Sequence, residues 1–456
     1  MIRDRLLDPL KSCELHVHLG GCLYPADLLE LGRSVYRQVD WSLFTDAYEQ
    51  TFGQRPDPIA LYEEALADPA GPGFDRFRRH SVFVAADGAD FARFQAKFNL
   101  AICLYRHWHN DILRKQQVVR AVLDRHRAEG IGYIEYRSMY MGGVEDVDGF
   151  FQTHLLNAQM IQEASDNDFL ARYIISLPRW DPLVGYQLVQ RFFDEHPELI
   201  PTIVGLDFCF FEDGYPPRTM NAFFARLRRD NQARPERALE VLYHVGEMYF
   251  DKSLESAVRW CHEAAELGPK RLGHATALGL DPAVSIGRRP RAHQREPAQE
   301  RRDQIAYDLR YRDALEQYGI IVDVDLLRGE DEKLQPLHPD TPVEKAYDEE
   351  RLEQVRWRQT FVLDQLAALG TAIETCPTSN LRIGGVPGPQ HHPIHRFLQA
   401  EVDLAVGADD PGVFDQPLAA EIDWVQRHTN LDEAALLRRL GDPRRLRLSR
   451  STGAKL

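Results

Sequence analysis

The chain has 456 residues, of which 44% are hydrophobic and 27% charged, which is an ordinary globular composition with enough apolar material for a sizeable core. Its formal net charge of −15 argues against a protein that coats nucleic acid or an anionic membrane. No apolar run reaches spanning length, the charged first ten residues lack a signal-peptide core, and the six cysteines form no CxxC pair. We therefore expect a cytoplasmic protein with reduced thiols.

The first predicted strand, Glu14–His18, ends in a His-x-His pair. Residues two apart on a strand point to the same face, so His16 and His18 offer two imidazoles to one point in space. Nitrogen ligands that converge in this way suit a first-row metal ion such as zinc. An isolated pair is more often two unrelated histidines, so the metal interpretation depends on what the rest of the chain supplies.

Seven further segments are short and apolar, as expected for strands buried on both faces, with long helix-like stretches between them. They are Tyr133–Arg137, Ala171–Ser176, Ile203–Cys209, Ala238–His244, Arg271–His274, Thr371–Cys376 and Leu404–Asp409. Eight such units predict an α/β fold, a (β/α)8 barrel of the TIM type, whose chemistry lies at the carboxyl ends of its strands.

Two connections, at about residues 20–131 and 278–370, are too long for simple links between strand and helix. The first has a helical pattern and could form a cap. The second predicts helices near 303–318 and 343–369, and it is rich in arginine: Arg288, Arg289, Arg291, Arg295, Arg301, Arg302, Arg310 and Arg312. We predict one catalytic barrel over residues 1–440, with helical insertions after strands 1 and 6, and a basic tail at 441–456 that is loosely held or used in contacts.

Polar residues stand at the ends of the later strands, namely His244, Glu247, His274, Asp409 and Asp410. A third histidine and a carboxylate would complete a metal site, and a second carboxylate beside a metal-activated water can move protons. Each position by itself has an ordinary structural explanation. Four histidines and a carboxylate pair at the strand ends of one barrel together predict a metal site.

Five motifs then occur in an order that resembles the adenosine/AMP deaminase superfamily of zinc-dependent barrel hydrolases, over residues 12 to about 440. They are HVHL at 16–19, HVGE at 244–247, LGHA at 272–275, ETCPTSN at 374–380 and ADDP at 408–411. The resemblance implies one Zn²⁺ per chain and hydrolytic deamination of an adenine nucleoside or nucleotide to the inosine form, with release of ammonia. The HLGG segment with insertions also resembles some bacterial defence-associated nucleotide deaminases.

The resemblance also implies residue roles. His16, His18, His244 and Asp409 would hold the zinc, while His274, helped by Asp409, would orient and deprotonate a water. Glu247 would protonate a purine ring nitrogen, and Asp410 would hydrogen-bond another. The predicted substrate-binding set is Asp410, Gly20, Gly246, Phe94, Phe98 and Phe210, the two phenylalanines of segment 94–98 matching the family's aromatic pair over the pocket.

Two departures from the family concern the substrate. After His-Leu the family usually has Asp-Gly, whereas this chain has Gly20-Gly21, which leaves space and does not repel a 5′-phosphate. Phe210 stands where the family usually has a glycine whose N–H meets the purine. Because guanidinium groups suit phosphate, Gly20 and the arginines of the second insertion together give the hypothesis of a 5′-phosphorylated adenine nucleotide.

Two other functions stay open at this point. One is a barrel hydrolase or deaminase of a modified nucleoside or another purine-like amine. The other is a non-catalytic barrel used in binding or assembly, which the intact catalytic positions disfavour. A homo-oligomer is compatible with the sequence, and nucleic acid is not an expected partner.

His107 and His109 form a second His-x-His pair, but in a helix-like segment, where residues two apart do not face one point.

Overall fold

A ring of eight parallel strands forms the centre of the molecule in the computed structural model, which describes residues 9–88, 90–108, 111–288 and 291–449. In chain order the strands are β1 Cys13–His18, β2 Tyr133–Met139, β3 Leu170–Ser176, β4 Ile203–Phe208, β5 Glu240–Val245, β6 Arg271–His274, β7 Arg295–Pro297, β8 Pro342–Glu344, β9 Ala372–Thr375 and β10 Leu404–Val406. The barrel order is β1-β2-β3-β4-β5-β6-β9-β10. All eight predicted barrel strands are confirmed, with bounds shifted by three residues or fewer.

The ring closes between its first and last strands. An isolated parallel bridge joins Val17 to Asp409. The N–H of His18 donates to the Asp409 carbonyl at 2.9 Å, and the N–H of Asp409 donates to the His16 carbonyl at 2.8 Å. The predicted (β/α)8 barrel is therefore confirmed, and its seam lies at two of the predicted ligand segments.

Helices surround the barrel and build both insertions. In chain order they are α1 Pro25–Gly32, α2 Ser42–Phe52, α3 Pro58–Ala67, α4 Pro72–Ser81, α5 Phe91–His107, α6 Ile112–Ala128, α7 Val147–Ala164, α8 Pro182–Glu195, α9 Asn221–Ala233, α10 Leu254–Leu267, α11 Pro282–Arg288, α12 Ala298–Arg310, α13 Arg312–Gln317, α14 Val324–Leu334, α15 Glu349–Leu369, α16 Pro377–Arg382, α17 Ile394–Phe397, α18 Pro411–Phe414, α19 Leu418–Thr429 and α20 Glu433–Leu440. None of the helices in the described residues is long and apolar enough to cross a membrane.

The first insertion is helical, as predicted, and consists of α1 to α6. Several of its helices start at an aspartate whose side chain accepts backbone N–H groups, such as Asp90 before α5 and Asp111 before α6. Helix α5 lies against the carboxyl end of the barrel, because its Phe94 stacks on Phe414, which follows β10. The insertion thus brings an aromatic helix to the end of the barrel where the chemistry is expected.

The second insertion has more elements than the sequence predicted. The predicted helix at 343–369 was wrong at its start, because residues Pro342–Glu344 form β8, which pairs antiparallel with β7, and α15 begins only after the capping residue Asp348. The stretch predicted as one helix at 303–318 is divided between α12 and α13, and α14 follows. Strands of three residues are too short to show an alternating pattern.

Residues after Pro443 pack against the barrel up to Ser449, so this part of the basic tail makes contacts. A 3-10 turn covers Pro443–Leu446, and both Leu446 and Leu448 are buried. Residues 450–456 lie outside the described part, and so do His109 and Arg289. All six cysteines are free and buried, which agrees with the expected reduced thiols.

Candidate metal and substrate site

The four predicted metal ligands lie together at the carboxyl ends of β1, β5 and β10. One ring nitrogen from each of His16, His18 and His244 lies within 4.8 Å of the others. The Nε2 atoms of His16 and His244 are 3.2 Å apart. The Asp409 Oδ1 is 3.3 Å from the His18 Nε2 and 3.5 Å from the His16 Nε2. Only His18 is partly exposed, with 22% of its side chain accessible, so it faces the barrel mouth.

Buried carboxylates fix two of these rings from behind. The Nδ1 of His16 is 2.7 Å from Glu374 Oε2, and the Nδ1 of His244 is 3.0 Å from Asp207 Oδ1. A carboxylate that accepts the Nδ1–H leaves the lone pair on Nε2, which is the form that binds a metal. The sequence analysis did not assign these two acids, although Asp207 ends β4 and Glu374 opens the ETCPTSN motif.

The electrostatics of the cluster favour a cation. Burial lowers the pKa of His18 to about 3 and, against the pull of Asp207, that of His244 to about 4, so both rings are neutral near pH 7. Burial opposes ionisation of Asp409, but its hydrogen bond to His16 and the neighbouring His274 hold its pKa well below the usual range. Against burial and the charge of Arg137, Glu374 and the hydrogen bonds to Asp409 and Glu374 raise the pKa of His16 to about 9, so a metal ion bound here would displace a proton from His16. The neutral rings of His18 and His244 and the ionised Asp409 are donors that fit zinc.

Cys376 lies close to this donor set. Its Sγ lies within 4.8 Å of ligand atoms of His16, His274 and Asp409. Burial, however, raises the pKa of the Cys376 thiol well above its ordinary value, and the carboxylates nearby act in the same direction. Without a metal ion beside it, the Cys376 thiol therefore keeps its proton.

His274 faces the same point from β6, with its backbone at φ 63°, in the left-handed region. Its Nδ1 is 2.9 Å from Asn380 Oδ1, and Asn380 Nδ2 donates to Thr375 Oγ1 at 3.2 Å, so the amide oxygen is directed at the ring. The Nδ1 therefore donates, and the Nε2 lone pair faces Glu247 Oε1 at 3.6 Å and Asp409 Oδ2 at 4.0 Å. Asn380 is a further residue that the sequence analysis did not assign.

Glu247 follows β5 in a turn that is held by the buried Glu212. Glu212 accepts the N–H of Gly246 at 2.8 Å through Oε2 and the N–H of Met248 at 2.9 Å through Oε1. Gly246 adopts φ 68°, which favours glycine. Because Glu212 already accepts the Gly246 N–H, the role of Gly246 in the predicted binding set is to allow the turn that carries Glu247. Burial raises the pKa of Glu247, so this carboxyl group holds a proton more readily than an exposed glutamate.

Asp410 lies beside the four predicted metal ligands, and one of its carboxyl oxygens is unpaired. Its Oδ1 is buried and has no hydrogen-bond partner among the described residues. Burial, and then the charge of Asp409, raise the pKa of Asp410 well above its usual range. A Cβ on Gly21 would lie 1.8 Å from Asp410 Oδ1, so only glycine at position 21 leaves this carboxyl group in place.

Aromatic side chains form one wall of the site. Phe94 and Phe98 lie next to each other on α5, and Phe98 approaches Gly20, where a Cβ would be 3.8 Å from its ring. Phe210 differs, because its side chain is 41% exposed and packs on Phe211 with ring centroids 4.5 Å apart. The structure brings Phe94, Phe98 and Gly20 together and leaves the Phe210 side chain at the rim.

Five arginines of the second insertion pair with carboxylates on the protein surface or within the insertion. The pairs are Arg295 with Glu344, Arg301 with Glu330, Arg302 with Asp331, Arg310 with Glu266 and Arg312 with Glu316. These guanidinium groups already have anionic partners, so they give no support to the phosphate hypothesis.

The family comparison gives one match, in which residues 343–441 fit the model described as adenosine deaminase. The adenine deaminase of Rhizobium leguminosarum is 39% identical over 75 residues, which is 16% of this chain and 23% of that relative's own length. The chain thus aligns with less than a quarter of this curated relative.

Solved structures resemble the chain over nearly its whole length. The N6-methyl-AMP deaminase of Arabidopsis thaliana has a TM-score of 0.54 at 14% identity and covers 98% of this chain and 94% of its own. A Burkholderia ambifaria amidohydrolase with bound Zn has a TM-score of 0.52 at 14% identity and covers 98% and 88%. At such identities the likeness concerns the fold. Over residues 343–441 this chain is thus similar in sequence to the adenosine deaminase family, and over its whole length it shares the fold of these amidohydrolase and deaminase barrels.

Proposed function

We propose that this chain is a zinc-dependent hydrolytic deaminase of adenine nucleosides or nucleotides, which yields the inosine form and ammonia. One observation carries the proposal: three histidines and Asp409 converge beside the partly buried Glu247 and the buried Asp410, two carboxyl groups of raised pKa. The deaminase relatives and the zinc in the Burkholderia ambifaria structure support the same reading.

His16, His18, His244 and Asp409 would hold one zinc ion. Bound there, the ion would lower the pKa of a coordinated water and so supply a nucleophile near neutral pH. The Nε2 lone pair of His274 faces this point, because Asn380 takes the Nδ1–H. His274 is therefore placed to accept the proton of the attacking water.

The two carboxyl groups suit the acceptor nitrogens of an adenine ring. Glu247, protonated, gives its proton to a ring nitrogen as the water oxygen bonds to the carbon that bears the amino group. The proton held by His274 then passes to the amino group, which leaves as ammonia, while the hydroxyl group on that carbon loses its proton to Glu247 and becomes the carbonyl group of the inosine form. Asp410, also protonated, donates through its unpaired carboxyl group to a second ring nitrogen, and Phe94 and Phe98 supply an apolar wall for the base.

We further propose that the sugar end of the substrate lies near Gly20 and carries a 5′-phosphate. Gly20 leaves space beneath Phe98, and the Arabidopsis relative of this fold is an N6-methyl-AMP deaminase. A Gly20→Asp variant should lose turnover of AMP more than turnover of adenosine, because the new carboxylate repels the phosphate. Wild-type turnover of adenosine equal to or better than that of AMP, ADP and ATP would contradict the phosphate preference and leave deamination itself intact.

The deciding experiment is a product assay with purified, zinc-loaded protein that measures the inosine-type product together with the amine released, which is ammonia from unmodified adenine compounds and methylamine from N6-methyl-AMP. The panel contains adenine, adenosine, deoxyadenosine, their phosphates and N6-methyl-AMP, and zinc is quantified in the same sample. We expect one zinc per chain and an inosine-type product from at least one adenine compound. Product from N6-methyl-AMP alone would favour a modified nucleotide as substrate. No product from a chain with stoichiometric zinc would favour the non-catalytic barrel.

A further inference from the structure

The amino-terminal end of the barrel, opposite the metal site, is filled by residues 443–449, which we name the barrel plug. Leu446 packs with Leu15, Tyr133 and other residues at the start of the strands. Leu448 packs with Ile174, Val204 and Leu242. A Cβ on Gly205 would lie 2.3 Å from Leu448 Cδ1, so β4 has a glycine where the plug enters. The plug is therefore fitted to the barrel interior.

The plug also completes the hydrogen bonds of two charged residues inside the barrel. Arg271 donates through Nη1 to the Leu446 carbonyl, and the Leu448 N–H donates to Glu135 Oε1 at 2.7 Å. Arg271 Nη2 also donates to Glu135 Oε2. Both Arg271 and Glu135 are fully buried, so water does not reach them. The plug supplies the hydrogen-bond partners that these two side chains need.

Arg271 is linked through one residue, Glu374, to the predicted metal ligand His16. Its Nε donates to Glu374 Oε1, and Glu374 Oε2 is 2.7 Å from the Nδ1 of His16. Arg137 holds the same carboxylate from another side, with Nη2 at 3.0 Å from both oxygens. Direct contacts thus run from Leu446 through Arg271 and Glu374 to His16.

We infer that the barrel plug is a positioning element of the metal site, because it fixes Arg271 and, through Glu374, the ring of His16. The inference rests on the proposed metal function of His16. Without the plug contacts, water reaches Arg271 and Glu135, and the salt bridges that orient Glu374 weaken in the more polar surroundings. Partners of this outer kind typically change metal affinity by about 10-fold to 100-fold.

Paired full-length variants separate positioning from packing. Leu448→Pro removes both the side-chain packing and the N–H that Glu135 accepts, whereas Leu448→Ala removes only packing. The residue before position 448 is compatible with proline, since Arg447 has φ −54° and ψ 148°, a conformation that residues before proline prefer. Ser449→Pro is a second control, because the Ser449 N–H donates to Glu240 Oε2, outside the path to His16.

Zinc affinity, measured by calorimetry with zinc alone, is the readout. We expect Leu448→Pro to bind zinc about 10-fold more weakly than Leu448→Ala, with Ser449→Pro close to wild type. Equal zinc affinity in the two Leu448 variants would overturn the inference and leave the plug a packing element. A wild-type chain that binds no zinc would instead contradict the proposed metal centre.

A measurement on the wild-type chain covers the case in which Leu448→Pro does not fold. Coupling between two sites is reciprocal, so zinc must in turn stabilise the plug. We expect slower hydrogen exchange of the Leu448 amide with zinc than without it, compared at equal pH. An exchange rate that zinc leaves unchanged would overturn the inference.

Discussion

At the residue scale, the site contains two carboxyl groups whose surroundings favour the protonated form and one that stays ionised. Asp410 is buried and Glu247 partly so, and burial raises the pKa of each, whereas Asp409 keeps a lowered pKa among the histidines. Carboxyl groups with opposite shifts commonly divide acid and ligand roles between them. This contrast is consistent with the proposal that Glu247 acts as the proton donor.

We expect Glu247→Gln to lower the turnover number by about 10²-fold to 10⁴-fold, because glutamine cannot give up the proton, while zinc content stays at the wild-type level. Steady-state deamination and metal analysis on the same sample check this outcome. Wild-type turnover in Glu247→Gln would reject the assigned role.

The sequence predicted the residues that face the proposed metal position, but not the residues that hold those side chains through hydrogen bonds. His16, His18, His244 and Asp409 could be found because strand ends and a His-x-His spacing give them a geometry. Glu374, Asp207, Asn380 and Glu212 could not, because each acts through a contact between strands or loops far apart in the chain. The supporting role of a buried acid can be recognised only when the group that it hydrogen-bonds is known.

At the element scale, the 3-10 turn Leu19–Gly21 after β1 places two glycines in very different surroundings. We expect Gly21→Ala to displace Asp410 and to raise KM strongly, since its Cβ would lie 1.8 Å from Asp410 Oδ1. Gly20→Ala is the matched control, because its Cβ would meet Phe98 at 3.8 Å, an ordinary contact. Deamination kinetics of both variants test this, and equal KM values would contradict the role given to Asp410.

Helices α12 and α15 are joined by a buried ion pair. Arg358 donates to both oxygens of Asp308, at 2.6 and 2.9 Å. Asp308→Ala should lower the free energy of unfolding by about 3–5 kcal/mol, because it leaves Arg358 buried without its anion. The control Glu316→Ala breaks an exposed pair with Arg312 and should leave stability nearly unchanged. Urea unfolding of both variants decides, and similar losses would show that burial of the first pair does not matter.

The elements themselves differed in how far the sequence revealed them. Buried strands of the barrel were found as apolar runs bounded by polar strand ends. In the second insertion, charged helices and three-residue strands carry little hydrophobic pattern, so β7, β8 and the bounds of α12 to α15 depended on tertiary pairing.

At the scale of the whole molecule, the proposed metal should contribute to stability by mass action. Removal of zinc with a chelator should lower the thermal midpoint, and at a free zinc concentration of 100 times Kd the ion adds about 2.7 kcal/mol. Added zinc should restore the midpoint, whereas calcium, which prefers oxygen ligands, should not. Differential scanning calorimetry checks this, and a midpoint insensitive to the chelator would count against a metal site.

The closure of the barrel between Val17 and Asp409 has a consequence for how the chain matures. His16 and His18 belong to the first strand, and Asp409 follows the last one, so a ribosome makes the first ligands long before the final one. The full ligand set exists only after β10 has docked beside β1. Loading of the proposed metal would therefore report completed folding, since a chain with the full ligand set around its ion would also have closed its barrel.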